Sequence, residues 1–118
     1  MSDEVRINIG LSFSKDGAVV TKNKAFSVDV TGDSYVSGVL SIGTSEEELT
    51  QLADLGTPGW TLLSNLDDTN YVEFGSTTGV YDIKLEAGES AVYRHNSATL
   101  YAKANTAACL VEYTIIED

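Results

Sequence analysis

Turn-forming residues recur along this chain at intervals of roughly ten residues, and short apolar segments lie between them. In the clearest segment, Val5 to Phe13, apolar side chains alternate with polar ones. A period of two places the apolar set on one face of a β-strand, which predicts one buried and one wet face. The spacing as a whole predicts an all-β fold, an antiparallel β-sandwich or jelly-roll-like arrangement of eight or nine short strands. We expect a single domain over residues 1–118, because the sequence contains no linker, repeat or low-complexity segment.

Further strands follow from the same alternation. Lys15-Asp16-Gly17 predicts a turn into a return strand, which we expect to be interrupted by the polar residues 21–24. Tyr35 to Ile42 is the next strand, with Gly38 as a possible site of a bulge or bend. From Trp60 onward the pattern predicts successive hairpins, with turns near residues 65–70, 75–79, 87–89 and 105–106.

The segment around residues 45–55 allows two interpretations. Ser45 and Glu48 have the spacing of a capping box, and Leu49, Leu52 and Ala53 have helical spacing, so one short helical turn is possible. An irregular edge strand is the other interpretation, because residues 56–59 contain two glycines and a proline.

The last predicted strand is apolar on both faces, with Val111, Tyr113 and Ile115 on one side and Leu110 and Ile116 on the other. Such a strand is either central in a sheet or covered by another subunit. We therefore expect one of its two faces to belong to a packing surface. Cys109, the only cysteine, has apolar neighbours and is expected to be a small buried core residue.

The polar residues offer no convincing catalytic, cofactor-binding or metal site. His95 is the only histidine and has polar neighbours, so we expect a solvated turn residue rather than a catalytic base. Glu46, Glu47 and Glu48 are expected to be a solvated first helical turn, with an acidic docking patch as the alternative. Four further residues offer side-chain oxygen atoms that could bind calcium: Asp67, Asp68, Asn70 and Glu73. Their spacing is not that of a calcium-binding loop, so we expect them to cap a turn.

The ten aromatic side chains could instead form a sugar-binding surface, as in carbohydrate-binding modules. Most of them fall on the strand alternation, which favours positions in the core or at a subunit interface. The net charge of −11 predicts repulsion from nucleic acid and from anionic lipid surfaces, so neither is an expected partner. The polar first residues do not resemble a signal peptide, and we expect synthesis in the host cytoplasm.

Three stretches in the second half carry a family resemblance: residues 56–60, residues 65–75 and residues 84–89. Together they resemble a pattern that recurs in small structural proteins of tailed bacteriophages, where an N-L-D-x-T-N-Y-V hairpin precedes a K-L-x-x-G-E turn. The similarity covers residues 56–118 and implies a virion component. Its motifs are turn and strand formers, so no catalytic residue is carried over.

Within a virion, the resemblance implies a capsid decoration or cement protein that stabilises the head. The implied partners are the major capsid protein or another virion protein, and further copies of the chain in a homotrimer or homodimer. A tail, neck or fibre-base component is the alternative within the particle, and a carbohydrate-binding module is the alternative of another class.

Overall fold

The computed structural model describes residues 4–118, which fall into two compact units. The first unit ends at Thr31, and the second runs from Gly32 to Asp118. A single domain over residues 1–118 remains a prediction.

The first unit is a long two-stranded hairpin. Strand β1 (Val5–Lys15) pairs antiparallel with β2 (Ala18–Val28), in unbroken register from Val5 opposite Val28 to Lys15 opposite Ala18. Asp16 and Gly17 connect them with φ of 51° and 86°, the left-handed pair that a two-residue hairpin turn requires. The predicted turn is confirmed. The predicted interruption at residues 21–24 is wrong, because the backbone ladder continues through these polar residues.

The second unit contains eight strands and one short 3-10 helix. They are β3 (Tyr35–Ile42), β4 (Glu47–Glu48), the 3-10 helix (Thr50–Asp54), β5 (Pro58–Asn65), β6 (Val72–Gly75), β7 (Ile83–Leu85), β8 (Ser90–Arg94), β9 (Tyr101–Ala104) and β10 (Cys109–Glu117). With the hairpin, residues 4–118 form ten strands, and every paired neighbour is antiparallel.

The eight strands of the second unit form two four-stranded sheets. One has the order β3-β10-β5-β8 and the other has the order β4-β9-β6-β7. Most connections pass from one sheet to the other, which is the strand order of an eight-stranded jelly roll. The predicted all-β, jelly-roll-like sandwich is confirmed.

A single hydrophobic core lies between these two sheets. The first sheet contributes Leu63, Val111 and Ile115, and the second contributes Val72 and Phe74, all of them fully buried. Cys109 is buried in the same core, as predicted. Burial of this kind supplies most of the stability of a domain without disulfides.

Most of the hairpins predicted after Trp60 are wrong. Strand β5 pairs with β8 and β10, whereas β6 lies in the other sheet and pairs with β7 and β9. The turns at residues 65–70, 87–89 and 105–106 therefore cross between sheets, and only β6 and β7 form a hairpin. A turn within a hairpin and a turn that crosses between sheets use the same residue types, so the sequence could not distinguish one from the other.

Residues 45–55 combine both interpretations that the sequence allowed, as the short strand β4 followed by the 3-10 helix. No side-chain hydrogen bond caps this helix, so the predicted capping box does not form. Leu49 and Leu52 are buried, whereas Ala53 is exposed. No helix among the described residues is long and apolar enough to cross a membrane.

Strand β10 is central, between β3 and β5, as its two apolar faces predicted. Gly38 is no bulge, because it pairs in regular register with Tyr113. Val111, Tyr113 and Ile115 face the core, which leaves the opposite face of β10 as the only one available for external packing.

Candidate functional site

His95 is buried, so the predicted solvated position is wrong. Its Nε2 lies 2.7 Å from the carbonyl oxygen of Thr99, and its Nδ1 lies 3.2 Å from the hydroxyl of Tyr93. The Tyr93 ring meets the imidazole edge to face at 5.7 Å. Burial, with a smaller contribution from Asp82, raises the pKa of Tyr93 to about 12. Both ring nitrogens of His95 have partners within the fold, an arrangement typical of a structural histidine.

Asp67 caps a turn, as predicted. Its Oδ2 accepts hydrogen bonds from the backbone N–H groups of Thr69, at 3.0 Å, and Asn70, at 2.6 Å. These bonds, that of Asn70 first, lower the pKa of the Asp67 carboxyl because they favour its charged form. Among residues 4–118, no group of three His, Cys, Asp or Glu side chains is placed to hold a metal ion.

Glu46 and Glu47 hold loops in place, and the predicted solvated helical turn is wrong. Glu46 Oε1 accepts hydrogen bonds from the Tyr81 hydroxyl and from the backbone N–H of Gly79. Glu47 accepts one from the backbone N–H of Gly43. The Tyr81 hydroxyl is the main reason that the pKa of Glu46 is lowered. Of the three carboxylates in the alternative interpretation, an acidic docking patch, those of Glu46 and Glu47 are thus hydrogen-bonded within the fold.

One group of exposed apolar side chains lies on the β1–β2 hairpin. Residues directly opposite each other in an antiparallel pair share a face, so Ile9 lies beside Lys24, Leu11 beside Lys22, and Phe13 beside Val20. We call these six residues the hairpin face. Leu11 is 63% exposed and Phe13 is 49% exposed. The sequence predicted a buried face here, but burial ends at Ile7, and the alternation beyond it is open to solvent.

The other face of the hairpin is polar. It carries residues such as Asn8, Ser12 and Thr21, and one large exposed apolar residue, Val19, opposite Ser14. The hairpin is thus an amphipathic ribbon. A two-stranded ribbon with one apolar face gains little stability by itself in water, so it needs a surface to cover that face.

A second exposed apolar surface lies on the outer side of the β3-β10-β5-β8 sheet. Glu112 pairs with Val39 on one side and Ser64 on the other, and Thr114 pairs in the same way with Ser37 and Leu62. Leu110 is 52% exposed and Val39 is 53% exposed. We call Val39, Leu62, Leu110 and Glu112 the outer sheet face. It contains the exposed side of β10, where the sequence predicted a packing surface.

The charge of the chain is divided unevenly between these surfaces. The hairpin from Val5 to Val28 has four basic residues against one acidic residue, a net charge of +3, and the flanking Asp3, Glu4 and Asp29 bring the first unit as a whole to zero. The second unit, Gly32 to Asp118, has three basic residues against fourteen acidic ones, a net charge of −11. The overall value of −11 conceals this difference, which is visible in the sequence once the hairpin is delimited.

Comparison of the chain with protein-family models, with curated proteins and with solved structures found no match.

Proposed function

We propose that the chain is a structural protein of a tailed-bacteriophage virion that acts through protein–protein contacts, most simply as a capsid decoration or cement protein. The observation that carries this proposal is the exposed apolar hairpin face. Contiguous exposed apolar surface is characteristic of interaction sites in soluble proteins. The resemblance of residues 56–118 to phage structural proteins supports the virion context. The jelly roll adds a fold-level analogy, since it occurs in viral capsid domains as well as in lectins and cupins.

We assign no catalytic role to the chain. His95, the only histidine, has both ring nitrogens engaged by Thr99 and Tyr93 and lies below the surface. A general base must reach the proton that it removes, and this imidazole is occupied by the fold. The proposed partners are therefore proteins: the major capsid protein or another virion protein, and further copies of the chain.

The experiment is to mix the purified chain with undecorated capsids of the phage that encodes it. We expect stoichiometric binding and a higher capsid disruption temperature. Leu11→Glu on the hairpin face should reduce binding, whereas Val19→Glu on the polar face of the same hairpin should leave it unchanged. Absence of both binding and stabilisation would refute the cement role.

A tail, neck or fibre-base position is the alternative within the particle. Images of intact particles distinguish it, because a decoration protein is present in many copies over the shell and a tail component is present in few. Density at the tail alone would replace the capsid assignment.

A carbohydrate-binding module is the alternative of another class, and two ring contacts weigh against it. The Arg94 guanidinium lies 5.4 Å from the centre of the Trp60 ring, and Lys84 Nζ lies 4.3 Å from the centre of the Tyr71 ring. Sugar stacking requires free aromatic faces, and each of these rings has a cation over one face. Binding to a glycan array would revive this alternative.

A further inference from the structure

We infer that the hairpin face of one copy docks on the outer sheet face of a second copy of this chain. This inference rests on the proposed assembly role: the hairpin face joins copies into the oligomer that binds the capsid, so Leu11→Glu would reduce capsid binding by weakening the oligomer. Both surfaces carry exposed apolar side chains, and both consist of regular β-strand residues whose side chains stand away from the backbone. Each therefore offers the other apolar side chains with charged or polar groups between them.

Charge identifies the second copy as the occupant. The hairpin carries +3, and the unit that contains the outer sheet face carries −11. Oppositely charged surfaces attract during encounter and favour the correct partner. Contact between two hairpin faces would instead bring Lys22 and Lys24 of each copy together, which like-charge repulsion opposes.

The charges also correspond at the level of single residues. On the hairpin face, Lys22 and Lys24 lie beside Leu11 and Ile9. On the outer sheet face, Glu112 lies between Val39 and Ser64, beside the exposed Leu110. The aliphatic part of a lysine can cover apolar surface while its ammonium group reaches a carboxylate. The stems of Lys22 and Lys24 can therefore pack on Val39 and Leu110 of the other copy while an ammonium group pairs with Glu112.

The two surfaces are also similar in length. The open part of the hairpin, from Ile9 to the turn, spans seven residues, or about 23 Å at about 3.3 Å per residue. The eight residues of β3 or β5 span about 26 Å by the same rise. One docking covers only about 230 Å² if the ribbon is about 10 Å wide, well below the roughly 800 Å² per partner of a standard interface. A closed dimer or trimer, in which each copy donates one hairpin and receives another, raises the contact to about 460 Å² per copy, the size of a weak, reversible interface.

The first test is the oligomeric state of the full chain, measured by sedimentation equilibrium over a range of concentrations. We expect a closed oligomer whose dissociation constant rises at least about tenfold in Leu11→Glu and in Leu110→Glu. Val19→Glu adds the same charge to the polar face and should assemble as the wild type does. Circular dichroism spectra confirm that each variant is folded. A wild type that is monomeric throughout, or a Leu11→Glu variant that assembles normally, overturns the inference.

A charge exchange tests the orientation of the contact. Lys22→Glu/Lys24→Glu should weaken assembly, and adding Glu112→Lys to that variant should restore part of it. Glu48→Lys makes the same charge change at an exposed residue of the other sheet and should restore nothing. If Glu48→Lys restored assembly as well as Glu112→Lys does, the effect would be one of net charge alone, and the specific docking would be overturned.

Zero-length cross-linking of a mixture of ¹⁴N- and ¹⁵N-labelled chains distinguishes docking between two copies from docking of the hairpin within one copy. We expect linked peptides between Lys22 or Lys24 and Glu112 that carry one label of each kind. Links of a single label only would place the hairpin on its own chain and overturn the inference. So would a monomeric wild type whose hairpin binds anionic lipid vesicles instead.

The outcomes for the oligomer and for the virion role are distinguishable. A closed oligomer that ignores capsids leaves the docking intact and refutes the cement role. A monomer that binds capsids through Leu11 supports the cement role and refutes docking between copies.

Discussion

The ring of Tyr113 lies against the backbone of Gly38, its partner across β10 and β3. A Cβ atom at Gly38 would lie 3.1 Å from the Tyr113 hydroxyl oxygen and 3.4 Å from Cζ. Because glycine has no side chain, Gly38 leaves space for the large buried ring of Tyr113.

Gly38→Val should therefore destabilise the fold by about 1–3 kcal/mol, because the added methyl groups displace the Tyr113 ring. Urea denaturation measures the change in the free energy of unfolding. In a Tyr113→Ala background the same substitution should cost much less, since the ring is gone. Equal costs in both backgrounds would show that Tyr113 is not the cause.

Glu117 joins two loops to the end of β10. Its Oε1 accepts a hydrogen bond from the backbone N–H of Ser34 at 3.3 Å, and its Oε2 accepts one from that of Gly56 at 3.0 Å. A Cβ atom at Gly32 would overlap Oε1 of Glu117. Gly32→Ala should expel the carboxylate from this position.

We expect Glu117→Ala and Gly32→Ala each to cost about 1 kcal/mol of stability, since each removes the same two bonds. The double variant should cost little more than either single one, because the interaction can be lost only once. A thermodynamic cycle from denaturant unfolding checks this. Strict additivity would contradict the shared mechanism.

The hydrogen bond from Tyr81 to Glu46 should be visible in a pH titration. It raises the pKa of Tyr81 to about 12, above its ordinary value of 10, because ionisation would remove the proton that the hydroxyl donates to Glu46. Burial and repulsion from the Glu46 carboxylate add smaller contributions in the same direction. The bond therefore stabilises the fold below pH 10, and this contribution is lost as the pH rises towards 12. The pKa of Glu46 is lowered from its ordinary value of 4.5, so the same contribution to stability is present above that pH. It is lost in acid, as the pH falls through the lowered pKa of Glu46 and the carboxylate takes up a proton.

Absorbance at 295 nm follows tyrosine ionisation directly. Tyr81 and Tyr93 both have a pKa raised to about 12, so the wild type should show two tyrosines that ionise near that pH. In Glu46→Gln, one of the two should move down towards pH 10, and Tyr81→Phe should remove that one and leave Tyr93. Identical titrations of the wild type and Glu46→Gln would show that the carboxylate does not control Tyr81.

Cys109 should be inert in the folded chain. Its side chain is fully buried, with Sγ about 3.7 Å from the carbonyl oxygen of Asn70, and burial raises the pKa of the thiol. Reaction with a chromogenic disulfide reagent should be slow at neutral pH and become fast in denaturant. Rapid reaction of the native chain would contradict the buried position.

Local patterns were enough to predict several elements in detail. Tyr35 to Ile42 forms a strand with the predicted bounds, and Asp16-Gly17 forms the predicted turn, because alternation and left-handed backbone preference are properties of a few neighbouring residues. The buried Cys109 follows from its apolar neighbours in the same way.

Predictions that depended on distant partners failed. The turn at residues 65–70 leads to the opposite sheet because β10, some forty residues later, takes the place beside β5. His95 failed for a different reason: its partners Tyr93 and Thr99 are only two and four residues away, but polar neighbours alone do not show that the folded turn directs both ring nitrogens towards them. The alternation from Ile9 to Phe13 predicted an apolar face correctly, but no local signal could show that the described chain leaves it uncovered.

The central position of β10 has a consequence for the order of events during synthesis. Strands β3 and β5 each pair with β10 and not with each other, so these two ladders cannot form until residues 109–117 have left the ribosome. The β1–β2 hairpin pairs only residues that are made first. A nascent chain therefore exposes the hairpin while the jelly roll is still incomplete, and a chaperone that recognises apolar ribbons would encounter it before the β3-β10-β5-β8 sheet is complete.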